Sequence, residues 1–228
     1  MELYNDNFLN VIPNIPDESV DLFFIDIPYN VSRDNNFATM KDRENRVGID
    51  FGEWDKNFNE ESIQILIPKL KKGGSILIWS AFEQFEIVRN TLKPLKLKDK
   101  LIWEKTNPMP RNRDRRYVSN IELCSWFVKD GDKWTFNRKN SSYEGCVFKY
   151  PSESGGGHKR YHPTQKNLKI IEYLIEVHSN VNDTVVDCFM GGGTTGVACK
   201  KLKRNFIGVE IDKKYFEISK NRIEELKI

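Results

Sequence analysis

Apolar residues gather along this chain in short runs, and the polar stretches between them carry apolar positions every three or four residues. Residues 20–25 form one such run, which ends at a proline-containing turn. Residues 74–79 form another, opened by paired glycines, and residues 100–103 and 121–128 follow, rich in branched and aromatic side chains. Their length and composition predict buried strands. Residues 60–70 and 83–92 have helical spacing instead. The C-terminal third repeats this grammar. Residues 168–178 predict an amphipathic helix, 184–188 a strand, 194–202 a helix, 205–211 a strand, and 215–226 a Lys/Arg-rich closing helix. Strands alternating with helices predict an α/β fold with a mostly parallel sheet and helices on both faces.

Two stretches break the alternation. Residues 30–55 are polar, irregular and too long for an ordinary connection, so they are a candidate lid or DNA-contacting segment. Residues 131–161 are polar, include Gly155, Gly156 and Gly157, and read as an insertion with little core. The 228 residues make one domain's worth of chain. Within it, residues 1–128 form a first half, 131–161 an insertion and 162–228 a second half. The longest apolar runs are far short of a membrane span. Met1-Glu2-Leu3-Tyr4 lacks the basic start of a secretion signal.

Composition is that of an ordinary globular protein, 39% hydrophobic and 30% charged. The net charge of +3 says little, but its distribution says more. Nine Lys/Arg lie between positions 93 and 116 against Asp99, Glu104 and Asp114. Arg111, Arg113, Arg115 and Arg116 follow Pro108 and Pro110 and can neutralise phosphates, though a solvated loop reads the same way. The four cysteines form no CxxC pair, and there are three histidines. That pattern argues against a disulfide framework or structural zinc and fits a reducing cytoplasm; no metal is expected.

Three constellations carry chemistry. Asp187-Cys188-Phe189-Met190-Gly191-Gly192-Gly193-Thr194-Thr195-Gly196 runs from a strand through a glycine turn into a helix. Such a turn brings backbone amides close to a ligand. Glu210, nineteen residues after Gly191, ends the next strand, where a carboxylate can accept ribose hydroxyls. Alone, this suits a dehydrogenase or an empty turn as well. His162-Pro163-Thr164-Gln165-Lys166 lies upstream, offering an ammonium, a hydroxyl and helix-start amides that can face a carboxylate. Asp26-Ile27-Pro28-Tyr29 ends the first strong strand, where α/β sheets bind ligands, although in isolation it is a common strand-ending turn.

Together these resemble the β-class amino-methyltransferases of DNA, over nearly the whole chain and in that class's motif order. Asp-x-Phe-x-Gly-x-Gly-Thr-Thr is similar to its S-adenosylmethionine-binding motif, His-Pro-Thr-Gln-Lys to the element preceding it, and Asp-Ile-Pro-Tyr to its Asp-Pro-Pro-Tyr motif. Ile49 to Asp55 and Trp103 to Arg111 look like the MboII-type adenine methyltransferases in particular. The resemblance implies a Rossmann-like methyltransferase fold, S-adenosylmethionine as cofactor and double-stranded DNA as substrate. It implies cofactor contacts from Asp6, Asn7, Asp26, Thr164, Gln165, Lys166, Asp187, Phe189, Gly191, Gly193, Thr194, Thr195 and Glu210. In this reading Lys166 helps to hold the methionine carboxylate. Asp26, the carbonyl of Ile27, Pro28 and Tyr29 would be catalytic, and Asn107 would lie near the target strand with the four arginines. Asp at position 26 leans towards adenine N6, with cytosine N4 and a weakened DNA-binding relative as alternatives. RNA and protein amino groups are further alternatives that the motif order speaks against. A homodimer and a cognate restriction endonuclease are partners that the family raises. Ile27 departs from the family proline: the carbonyl survives but the fixed φ does not. Ile27→Pro is therefore expected to match or exceed the parent.

Overall fold

The computed structural model describes residues 1–30, 58–108, 117–131, 133–153 and 161–226. The segment 31–55, the four arginines, Met109, Pro110 and the three consecutive glycines lie outside the described residues.

Eight strands form one sheet: β1 (Glu2–Tyr4), β2 (Val20–Asp26), β3 (Leu70–Ser80), β4 (Lys96–Lys105), β5 (Ile121–Val128), β6 (Val147–Tyr150), β7 (Thr184–Asp187) and β8 (Asn205–Val209). Their spatial order is β1-β8-β7-β2-β3-β5-β4-β6. Every neighbouring pair is parallel except the two that β5 makes, with β3 and β4. The expected α/β fold with a mostly parallel sheet is therefore present. Five α-helices are described: α1 (Phe8–Val11), α2 (Phe85–Thr91), α3 (Leu168–His178), α4 (Thr194–Lys201) and α5 (Lys213–Glu224).

Strand β2 shows why the predicted runs are strands. Its side chains alternate between two cores: Phe23 and Ile25 join Phe8, Val11, Ile76, Ile78 and Val88, while Leu22 and Phe24 join Leu77, Trp79, Ile170, Leu174 and Val197. Both faces are covered, so residues 22–25 read as an unbroken apolar run. Each fully buried Phe, Ile or Leu contributes about 1.5–3 kcal/mol by leaving water. Helix α3 matches its predicted bounds, with Asn167 accepting from Lys169 N as its N-cap, and Asp212 caps α5 in the same way.

Several expectations shift. Residues 60–70 are not one α-helix: a 3-10 turn runs over Glu60–Leu66, capped by Asn59. Pro68 has no N–H to return to a helix, and Leu70 pairs with Val20 in the ladder. Strand β3 therefore starts before the paired glycines instead of after them. The register slips between Val20 and Leu22, where Gly73 takes φ +75° and a Cβ would lie 2.1 Å from Lys133 O. Between residues 133 and 153, β6 pairs in parallel with β4, and Phe136 stacks on Trp126. The segment expected to be a core-poor insertion thus supplies an edge strand and packs against the sheet.

Candidate active site

Between β2 and β7 the sheet changes direction of winding: the chain leaves β2 towards β3 on one side and β7 towards β8 on the other. This is a topological switch point, at the carboxyl ends of parallel strands. Asp26 ends β2, Asp187 ends β7 and Glu210 follows β8, so three adjacent strand ends each present a carboxylate.

The loop after Asp26 is tied down on both sides. Ile27 N donates to Trp79 O (3.2 Å), prolonging the β2–β3 ladder, and Gln84 Nε2 donates to Pro28 O (2.8 Å). Asn30, at φ +54°, accepts from Phe58 N (2.8 Å) and donates to Phe58 O (3.0 Å). Ile27 itself is buried in the core. Gln84 was not anticipated, because its partners Pro28 and Glu60 lie far from it in sequence.

Lys166 joins the two motifs. It sits just before the N-cap of α3, and its Nζ contacts Asp26 Oδ2 at 2.5 Å, Glu122 Oε2 at 3.0 Å and the Tyr29 hydroxyl at 3.4 Å. Glu122, from β5, also pairs with Lys105 Nζ at 2.5 Å and accepts from the Tyr29 hydroxyl at 3.3 Å. Two lysines thus face two carboxylates in alternation. Burial pushes the Asp26 carboxyl up, and Glu122 adds to this, while the Lys166 charge opposes it; the net direction is upward. Burial also pushes Glu122 up, but Lys166 and Lys105 outweigh it and hold it below the usual carboxylate range. Lys166 is raised: burial lowers it, but its two carboxylates prevail. Burial, followed by the charges of Asp26 and Glu122, raises Tyr29 well above a free phenol. Asp26 Oδ1 is shielded from solvent and has no hydrogen-bond partner among the described residues.

The glycine turn closes the other side. Gly191 N donates to Glu210 Oε2 (2.8 Å), and Asp212 N donates to Oε1 (2.8 Å). Gly193 takes φ +74°, and a Cβ there would lie 2.8 Å from that of Ser219 on α5, so this glycine serves helix packing. Burial raises Asp187 from 3.8 to about 7, against hydrogen bonds from Thr195 and Phe189 N. Phe189 packs between Phe8 and Phe58, at 5.0 and 5.3 Å. Thr194 Oγ1 accepts from Arg222, whose guanidinium also bonds Gly192 O.

Other expected contacts have local duties. Asn7 caps α1 by accepting from Leu9 N, and Asp6 Oδ1 accepts from Asn7 N and from the Asn10 amide. Asn5 instead donates to Glu210 O (2.8 Å), joining β1 to the end of β8. Thr164 bonds His162 Nδ1, and Gln165 Oε1 accepts from Tyr161 N, so both shape the turn that delivers Lys166. Asn107 is committed to Ser152, accepting from its N (2.6 Å) and donating to its O (3.1 Å).

Comparison with known proteins gives this arrangement a lineage. The chain is 30% identical over 249 residues to the type II methyltransferase M2.LlaDCHI of Lactococcus lactis subsp. cremoris, covering 98% of this chain and 88% of that one. A crystal structure of an M1.HpyAVI–SAM complex superposes with a TM-score of 0.76 at 34% identity, covering 99% of each chain. The PvuII DNA methyltransferase, named as cytosine-N4-specific, shares the fold with a TM-score of 0.75 at 18% identity, over 99% of this chain and 86% of its own. The profile of the DNA methylase family, with its N6 and N4 members, matches residues 20–221, and the chain belongs to that family.

Proposed function

We propose that this protein transfers a methyl group from S-adenosylmethionine to N6 of an adenine in duplex DNA. The observation that carries the reading is the meeting of Asp26, from the first core strand, with Lys166, from the element ahead of the glycine turn, in one crevice. The cofactor's charge suits the residues present: its sulfonium and ammonium are cationic and its ribose offers hydroxyl donors. Asp26, Asp187 and Glu210 are acceptors on three neighbouring strand ends, and Lys166 is the cation for its carboxylate. Bound there, the cofactor supplies an electrophilic methyl group.

The protein's part is orientation and proton handling. An exocyclic amine on an aromatic ring is a poor nucleophile because its lone pair is delocalised. The Asp26 carboxylate and the Ile27 carbonyl can each accept one of its hydrogens and turn it towards sp3 character. Asp26 then takes the proton that leaves the nitrogen, a role its raised affinity for protons favours. Tyr29 offers an aromatic face to a base taken out of the stack. Glu210, Asp6 and Asn7 are assigned to the ribose and adenine side of the cofactor, Thr164, Gln165 and Lys166 to its carboxylate side. The arginines at 111, 113, 115 and 116 are assigned to DNA phosphates. The type II relatives support a restriction–modification setting. No helix among the described residues is long and apolar enough to cross a membrane.

The test is long-read sequencing of DNA from cells expressing the chain, scored for modified bases, beside labelled-methyl transfer in vitro. N6-methyladenine at a defined site, lost in Asp26→Ala, is the expected result. N4-methylcytosine would overturn the base assignment, and cofactor binding without transfer to diverse DNA would overturn the catalytic one.

A further inference from the structure

The Asp26 carboxylate is already engaged on the side that an incoming amine must use. Its Oδ2 is held by Lys166 Nζ at 2.5 Å, and its Oδ1 is closed off from solvent. An amine that takes Oδ2 competes with an ammonium whose side chain is only 7% exposed, on a carboxylate whose side chain is 26% exposed. A buried cation that loses its partner costs several kcal/mol, so the Nζ that yields Oδ2 relies, beside the cofactor's carboxylate, on a fixed protein carboxylate within reach. Glu122 Oε2 is already 3.0 Å away. Its other oxygen is fixed by Lys105, so the receiving carboxylate does not have to move.

We propose, granting the methyltransferase reading, that Glu122 is a positioning residue onto which the Lys166 ammonium shifts when the target amine takes its place on Asp26. Glu122 itself touches no substrate; it acts through Lys166. The strand layout makes this possible. β5 is the strand that runs against its neighbours, so its start, unlike theirs, lies on the rim where β2 ends. The groups facing Asp26 are Lys166 from the approach to α3, Tyr29 from its own loop, Glu122 and Cys124 from β5, and Asp187 from β7; Lys105 of β4 acts through Glu122.

The experiment compares the full chain with Glu122→Gln, Lys166→Met and the double variant, measuring kcat, KM for DNA and S-adenosylmethionine affinity by calorimetry. Glu122→Gln keeps size and a hydrogen-bonding oxygen but not the charge. It is expected to lower kcat about tenfold or more with cofactor affinity within about twofold. In the Lys166→Met background the same change is expected to cost much less, because its route through the ammonium is gone. Additive losses, or an unchanged kcat in Glu122→Gln, would overturn the proposal. Carbon-13 titration of the Asp26 carboxyl reads the coupling without any turnover. Glu122→Gln should move it downward in the parent background, and no downward movement sinks the coupling. A parent that transfers no methyl group yet shows the shift would sink the methyltransferase reading, and with it the catalytic role of Glu122. An active parent with no shift would sink this inference alone.

Discussion

The two ends of β5 bury ionisable groups in opposite ways. At its start, Glu122 sits among Lys105, Lys166, Tyr29 and Asp26, and every charge has an opposite charge beside it. Near its far end, Trp126 packs edge-on against His178 at 4.5 Å, Phe136 adds a second ring at 5.6 Å, and His178 Nδ1 has no hydrogen-bond partner among the described residues. Burial lowers His178 to about 3, so it is a neutral aromatic filler at ordinary pH. The same strand thus holds charge where partners exist and gives it up where only rings are available. Burial alone therefore does not distinguish the two ends; the presence of opposite charges does.

The largest break of this contrast is Lys166→Met, which strands Asp26 and leaves Glu122 to Lys105 alone. It should cost about 3–5 kcal/mol in urea unfolding, and Asp26→Asn with Glu122→Gln should recover part of the loss. Asp187 comes next. An acid raised from 3.8 to about 7 on folding leaves stability untouched below pH 3.8 and lowers it increasingly up to about pH 7. Asp187→Asn should therefore stabilise the fold at pH 8 by up to about 4 kcal/mol while weakening cofactor binding, and the gain should vanish near pH 4. The third concerns His178. Its folded value lies below 6.5, so stability is intact above pH 6.5 and falls as pH drops towards about 3. At pH 5 that loss is about 2 kcal/mol, and His178→Phe should remove it from the thermal unfolding profile.

Ile27→Pro should have the smallest effect. Proline would fix φ but delete the N–H that reaches Trp79 O. Transfer at or above the parent's rate, with a stability cost of about 2 kcal/mol from the lost hydrogen bond and the smaller buried side chain, is the expected pair of readings. A clear loss of transfer would show that the loop needs that amide more than it needs a preset φ.

What the chain reveals on reading, and what it conceals, divides along physical lines. β2, α3 and the unit from β7 to α5 were legible because their apolar spacing and caps are local. β1 was not: three residues have no periodicity, and their partner in β8 lies some two hundred positions away. β6 was hidden because its outward residues are polar or exposed and it pairs on one side only. Asp26, Lys166, Asp187 and Glu210 could be picked out, and the crevice gathers them. Glu122 escaped notice, although a lone acid inside Ile121-Glu122-Leu123-Cys124 is a signal, since a charge in a buried strand needs a partner. The engagement of Asn107 with Ser152 could not be read, because it joins two loops that are distant in sequence.

The reversed direction of β5 has one last consequence. Glu122 lies opposite Trp103, and Ile121 opposite Glu104. Side chains alternate along a strand, so sliding β5 by a single position would turn its acid out of the crevice and present Ile121 or Leu123 to Lys166. Variation in length between β4 and β5 is therefore tolerable only where it leaves that pairing fixed.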